Sequence, residues 1–395
     1  MADDLGNIDD LLASLAHKQT LQRERAAARL GRWLRALPAE PEASDLTTLS
    51  TIEAGVLSAC EAEAWEGRQG GFLGARKLLS ERAPADAFVA GAVAAACARL
   101  EDPEARVRLA VAEAFLALAT LRGAALLADV HERLLGSIDA NFELLAQSAA
   151  ERKKEGDDEA EAAGYDSADG YNTVEGTERP AGERVSGAAA AGGLAGRGSS
   201  EGGAGWKCLE TGLKALERVV EGCKGELGEW LPKVIAPVLR SASHTNRFVR
   251  EVGLHAAATL CRHLPAAALG EYASPLEAQL RAGLCDNWSQ VRYAASTATR
   301  AFCGKLSPLS PASEAALLPP MCLNRYYVAE GVRRYSQQTW HELYGDGGAP
   351  RAPFGGAMLG ARKSRRPTHP SPPLPRDRRG GAHPPRRRLL LRRHG

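Results

Sequence analysis

The residues best placed to do chemistry are His255, Cys261 and His263 in one stretch, and the run HELYG at 341–345. A zinc site needs three or four ligands converging on one point. His255 and His263 fall about two helical turns apart on one helix, with no third ligand at a matching offset. His341-Glu342 opens like a zinc helix, yet no second histidine follows four residues after the first. The sequence has no Gly-x-x-x-x-Gly-Lys loop, no nucleophile elbow and no His/Asp/Ser constellation. The glycine-rich GLAGRGSSEGGAG at 193–205 follows no strand, so it is not a phosphate cradle. These residues predict no catalytic site, no cofactor and no metal.

A second set suits recognition rather than reaction. Trp65 precedes Arg68 by three residues, Trp288 precedes Arg292 by four, and Tyr326 and Tyr327 stand in a similar place before Arg333. Rings and guanidiniums in exposed turns are the anchors that dominate protein interfaces. The candidate partner-binding residues are therefore Trp65, Arg68, Trp288, Arg292, Tyr326 and Arg333. A competing account of the same rings is that they fill the space between adjacent structural units.

What positions these residues is a repeat. Val291-Arg292 recurs as Val249-Arg250, Val332-Arg333 and Val107-Arg108, and the later arginines are 42 and 41 residues apart. Arg68 lies 40 before Arg108, and Arg25 lies 43 before Arg68. Periods of this length are the mark of stacked supersecondary units. Arg108 and Arg250, 142 apart, break the series. Placing Lys207 in the basic slot leaves a surplus of about one period plus a third. That surplus coincides with 149–205, where 12 Asp/Glu and 6 Lys/Arg mix with Gly, Ala and Ser.

Each unit reads as two helices. In one second helix Trp288, Val291, Ala294, Ala295, Ala298 and Phe302 share a face at 3.6-residue spacing. Asp102-Pro103-Glu104 reads as an N-cap, an N1 proline and a first-turn acid. Pro232 and Pro237 predict a late start or a kink in a first helix. Gly70, Gly71 and Gly74 predict close helix contact between units. Hydrophobic content of 44% with only 5% aromatics gives a core of Ala, Leu and Val, which suits closely packed helices.

Helix pairs at this period, with Asp-x5-Val-Arg opening the second helix, resemble HEAT repeats of the armadillo-like superfamily. The resemblance implies an all-α fold, a right-handed α-α superhelix (HEAT/armadillo-like solenoid) of about seven helix pairs. It also implies that Asp102, Arg108, Arg250 and Asp286 belong to a hydrogen-bonded ladder between units. His244 before Arg250 and Tyr327 before Arg333 depart from the pattern, so interruptions are expected there. An iron hydroxylase of HEAT-like build would need several His-Glu ligand pairs, and HEL at 341 offers one.

The domain reading is 1–148 as N-terminal repeats, 149–205 as an acidic, Gly/Ala-rich insertion, 206–345 as C-terminal repeats and 346–395 as an Arg/Pro-rich tail. The insertion and tail lack the apolar residues needed to offset ordering entropy, and disorder is expected of both. The tail carries 13 Lys/Arg against 2 Asp/Glu, and PSPPLPR within it resembles a polyproline ligand. It reads equally as translated noncoding sequence. If the array stops after QQTWHELYG it lacks a polar closing helix, which predicts an exposed apolar end.

The eight cysteines are scattered, with no CxxC, and read as small buried hydrophobes of a reducing compartment. An acidic N-terminus and the lack of a long apolar run predict no signal peptide and no transmembrane segment. A cytoplasmic location is expected, with nucleus and cilium left open. The functional expectation is a non-enzymatic scaffold or adaptor that binds another protein through the solenoid groove. Two alternatives stand beside it. One is a tubulin-binding, TOG-like module. The other is RNA or anionic-surface binding through the basic tail; nucleic acid is not expected elsewhere.

Overall fold

The computed structural model describes residues 7–155 and 205–345, with the side chains of 151–155 excepted. Fifteen α-helices and no strand occur among the described residues. Seven pairs account for all but one of them. The pairs are α1 (Ile8–Leu15) with α2 (Thr20–Ala36), α3 (Ala43–Cys60) with α4 (Trp65–Glu81), and α5 (Asp86–Ala98) with α6 (Ala105–Arg122). Next come α7 (Ala125–Glu155) with α8 (Gly205–Gly222) and α9 (Leu231–Ala242) with α10 (Arg247–His263). A short α11 (Ala266–Glu271) then precedes α12 (Ala273–Leu284) with α13 (Ser289–Lys305), and α14 (Pro311–Asn324) with α15 (Glu330–Tyr344) closes the series.

The first helices α1, α3, α5, α7, α9, α12 and α14 form one row, each touching the next, and the seven second helices form another. The fold is thus a HEAT/armadillo-like solenoid. Its core is thin and continuous, as the composition requires: Val107, Val111, Ala114, Phe115 and Leu118 of α6 are buried, as are Val291, Ala294, Ala295, Ala298 and Phe302 of α13. Trp288 is not in that core. It precedes the first turn of α13 and remains 39% exposed.

The fourth pair closes across the insertion. Helix α7 comes before it, α8 after it, and the two pack on each other. The ranges 1–148 and 206–345 therefore build one array rather than two blocks. The helix α7 continues to Glu155, so 149–155 are helical and the insertion's expected border at 149 is too early. Residues 156–204 and the whole of 346–395 lie outside the described residues, and with them the readings made of both segments.

Proline acts as expected on α9, which starts late. A 3-10 turn at Gly228–Trp230 precedes it, Pro232 occupies its first turn, and Pro237 sits inside it. Asp102 does not cap α6. The helix begins at Ala105 and Glu104 accepts from the Arg106 N–H, because the Asp102 carboxylate is engaged elsewhere.

The far side of α15 departs from the expected apolar end. Four residues after the ladder arginine, the other second helices place Phe72, Ala112, Leu254 and Ser296, all buried. In α15 the slot holds exposed Gln337, whose amide donates to the Arg325 carbonyl at 3.0 Å. The most exposed large apolar residues among those described are Leu323, in the last turn of α14, and Tyr326 and Val328 in the turn that follows it, at 71%, 75% and 85%.

Candidate partner-binding edge

The ladder arginine is the fourth residue of its second helix in six of the seven pairs: Arg23, Arg68, Arg108, Arg250, Arg292 and Arg333. Each guanidinium turns back to carbonyls of the preceding turn. Arg68 donates to Ala62 and Glu63 at 3.1 and 2.5 Å, and Arg250 to His244 and Thr245 at 2.9 and 2.6 Å. Those carbonyls end the first helix or begin the turn, so one side chain fixes the geometry of the pair.

The same guanidiniums reach the next pair. Arg68 makes two bonds to the Asp102 carboxylate, at 2.6 and 3.0 Å, and Arg250 makes two to Asp286, at 2.7 and 3.2 Å. The link thus runs from one pair's arginine to the following pair's aspartate, which also accepts the N–H two residues on, Glu104 or Trp288. Among the described residues no guanidinium of the fourth pair bonds the His244 side chain, the place of the expected interruption, because that pair joins the ladder through Thr211; Arg250 itself links forward to Asp286 of the next unit. Neutral acceptors replace the acid elsewhere. Arg23 meets Gln69 at 2.6 and 2.9 Å, Arg108 meets Thr211 at 2.8 Å, and Arg292 meets Asn324 at 2.7 Å. Among the described residues Arg333 donates to the Tyr327 and Val328 carbonyls, both at 3.3 Å, and to no side chain of another pair.

Two sequence assignments shift. Arg23, not the exposed Arg25, occupies the first ladder position. Lys207 is exposed and lies 5.7 Å from the Trp206 ring centre, so it does not fill the slot. Both errors have one cause: the period is set by helix phase, and neighbouring basic residues counterfeit it in sequence.

His17 and His244 stand where Asp102 and Asp286 stand, and each Nδ1 accepts the N–H two residues on, at 3.0 Å. That bond requires an unprotonated Nδ1. Burial first, then Arg240 and Arg250, holds His244 below its ordinary pKa; burial also lowers His255 and His263. The unfolded chain then binds more protons than the fold near neutrality, so stability should fall as pH drops below about 6.5 and level off once the folded-state values are passed. Burial raises the carboxyls of Glu53 and Glu251, whose contribution has the opposite sign. Urea titrations at several pH values should therefore show a shallower fall for His244→Asn, which retains an acceptor, than for the unaltered chain. An unchanged slope would exclude His244 as a contributor.

Of the six partner-binding candidates, Arg68 is buried in the ladder and its pKa is raised, chiefly by the bond to Asp102. Trp65 is half-buried with Arg23 and Arg106 each 4.9 Å from its ring centre, so it joins three pairs. Arg292 is held by Asn324 and carbonyls and covers Tyr327 at 4.3 Å. Trp288 and Tyr326 remain open to solvent. The sequence reading missed Arg247, which lies 3.5 Å from the Trp288 ring centre, and Trp206, stacked on Phe248 at 4.8 Å. Only the turn-to-turn register brings these together.

The row of second helices is largely satisfied within itself. Glu113 accepts Arg76 at 3.2 Å on one side and Arg218 at 3.0 Å on the other, Thr259 donates to Glu217, and Arg300 pairs with Glu342. Among the described residues no three His, Cys, Asp or Glu converge as metal ligands. The sequence holds a second His-Glu step, His131-Glu132, and His131 faces Trp230 with ring centres 4.5 Å apart. The five buried cysteines are free; burial pushes the Cys60, Cys261 and Cys303 thiols up to about 12 and Cys223 to about 11, which suppresses the reactive thiolate. Cys285 is exposed, against expectation. No helix among the described residues is long and apolar enough to cross a membrane.

No family model and no curated protein matches the sequence. Similar solved structures include an engineered protein of the Northeast Structural Genomics Consortium, at TM-score 0.37 and 12% identity, covering 76% of this chain and 99% of that one. A designed armadillo repeat protein in complex with peptide (KR)4 gives TM-score 0.33 and 11% identity, covering 86% of this chain and 100% of the other. These likenesses are remote, and the fold rests on the helix pairing itself.

Proposed function

We propose that this chain, a solenoid of HEAT/armadillo-like pairs, is a non-enzymatic scaffold or adaptor that holds another protein on its repeat surface. The observation that carries the reading is a division of labour among like residues. The ladder arginines are committed to carbonyls and to the next pair, whereas Trp288 and Tyr326, at the same level of the array, are solvent-facing. Trp288 is backed by Arg247, and an aromatic side chain held in place binds with little loss of conformational entropy. In-cell crosslinking of the full chain should place partner crosslinks on array lysines such as Lys207, Lys214, Lys233 and Lys305. Crosslinks to no other protein, or only to residues 346–395, would defeat the reading.

A tubulin-binding module is the second reading, favoured by Trp288 beside Arg247 in an array turn. It loses Trp65, which is enclosed by two arginines. Cosedimentation with microtubules, and gel filtration with free tubulin, should show a complex at micromolar concentration if this reading holds. Binding of RNA or an anionic surface by the tail concerns residues outside those described.

A further inference from the structure

The turn edge changes sign along the array. In the second and third pairs, segments 61–68 and 101–108 carry six carboxylates against three arginines. In the fifth to seventh pairs the corresponding segments taken one residue longer at each end, 242–251, 284–293 and 325–334, carry six arginines against three carboxylates, and the same extension leaves the counts of the second and third pairs unchanged. Asp286 is engaged by Arg250 and Glu330 by Arg334, and Glu251 lies half-buried near Arg247. Three of the other four arginines lie against rings, Arg247 over Trp288 at 3.5 Å, Arg292 over Tyr327 at 4.3 Å and Arg325 over Trp340 at 4.6 Å, and the fourth, Arg333, donates to the Tyr327 and Val328 carbonyls. A ring face stabilises a guanidinium without cancelling its charge. The result is a positive strip interleaved with the exposed Trp288 and Tyr326.

We infer that the turn edge of the fifth to seventh pairs binds an acidic, extended segment of a partner protein. The inference rests on the scaffold reading and deepens it. Neighbouring helices pack about 8–10 Å apart, and an extended chain advances about 3.3 Å per residue. A segment with a carboxylate about every third residue therefore meets one turn per carboxylate, and an intervening aromatic can lie on Trp288 or Tyr326. Carboxylate–arginine recognition supplies specificity of sign, and the rings supply contact area.

The test is fluorescence polarisation of the full chain with fluorescein-labelled (Glu-Glu-Tyr)4, against (Gln-Gln-Tyr)4, (Lys-Lys-Tyr)4 and the oligonucleotide dT12. The acidic peptide should bind at least tenfold tighter than the neutral one and weaken as salt is added. Trp288→Ala with Arg334→Glu should weaken it at least tenfold, and Tyr326→Ala, at a ring 75% exposed, should weaken it with unchanged circular dichroism. Arg25→Glu, at the other end of the array, should change it by less than twofold. Equal binding of the neutral or lysine peptide, equal loss with Arg25→Glu, or dT12 binding as tightly would overturn the inference. Array crosslinks to a partner alongside any of those outcomes would leave the scaffold reading intact.

Discussion

Asp102→Ala is expected to destabilise the array by about 3–5 kcal/mol, the range found when one partner of a buried ion pair is removed. Asp102 is 3% exposed and Arg68 8%, so the orphaned guanidinium has no ready access to water. The same substitution also removes the acceptor of the Glu104 N–H, just where α6 begins. Asp286→Ala should cost less, about 1–3 kcal/mol, because the Arg250–Asp286 pair is more open to solvent. Asp102→Asn should fall between, since its amide oxygen keeps the turn bond and loses the charge. Urea unfolding followed by circular dichroism measures all three. A loss below about 1 kcal/mol for Asp102→Ala would put the ladder in the class of surface ion pairs that contribute little.

Gly70→Ala is expected to cost about 1–3 kcal/mol or more, the usual effect of overpacking, although alanine is the better helix former by about 1 kcal/mol. A Cβ on Gly70 would lie 1.7 Å from the Leu15 carbonyl oxygen and 2.6 Å from its carbon, both backbone atoms that no rotamer change can move. Helix α1 must then shift from α4. Hydrogen exchange over 8–15 should quicken, and the melting temperature should fall. Gly136→Ala in α7 and Gly304→Ala in α13 provide the opposite case, since a Cβ there meets nothing within 4 Å. Those two should stabilise by up to about 1 kcal/mol, and a gain for Gly70→Ala as well would refute the proposed close contact.

The period was legible because one geometric task recurs: a guanidinium at the fourth helical position must reach carbonyls five and six residues back. Any sequence performing that task repeatedly must space its arginines evenly. Gly70, Gly71 and Gly74 were legible for a similar reason, since glycine inside a helix implies an approaching neighbour. The donor–acceptor direction was not. Asp102 looks like the partner of Arg108, six residues away, whereas the arginine meeting its carboxylate is Arg68, 34 residues away, and only the stacking register decides between them. The edge was half legible. Trp288 and Tyr326 stand out by type, but the Arg247–Trp288 and Trp206–Phe248 contacts join residues of different pairs, and no spacing within one unit predicts them.

The fourth pair has a further implication. Its two helices are joined by residues 156–204, yet α8 packs on both α7 and α6 and receives Arg108 from the preceding pair. Those contacts lie between the described helices, so the unit should act as a clasp: a nick in the backbone between α7 and α8 should yield two complementary fragments, each carrying half of one brick. Such halves should recognise each other through the same apolar surfaces that fasten the intact molecule, so a protease acting at this single place would convert one polypeptide into a heterodimer without dismantling the stack.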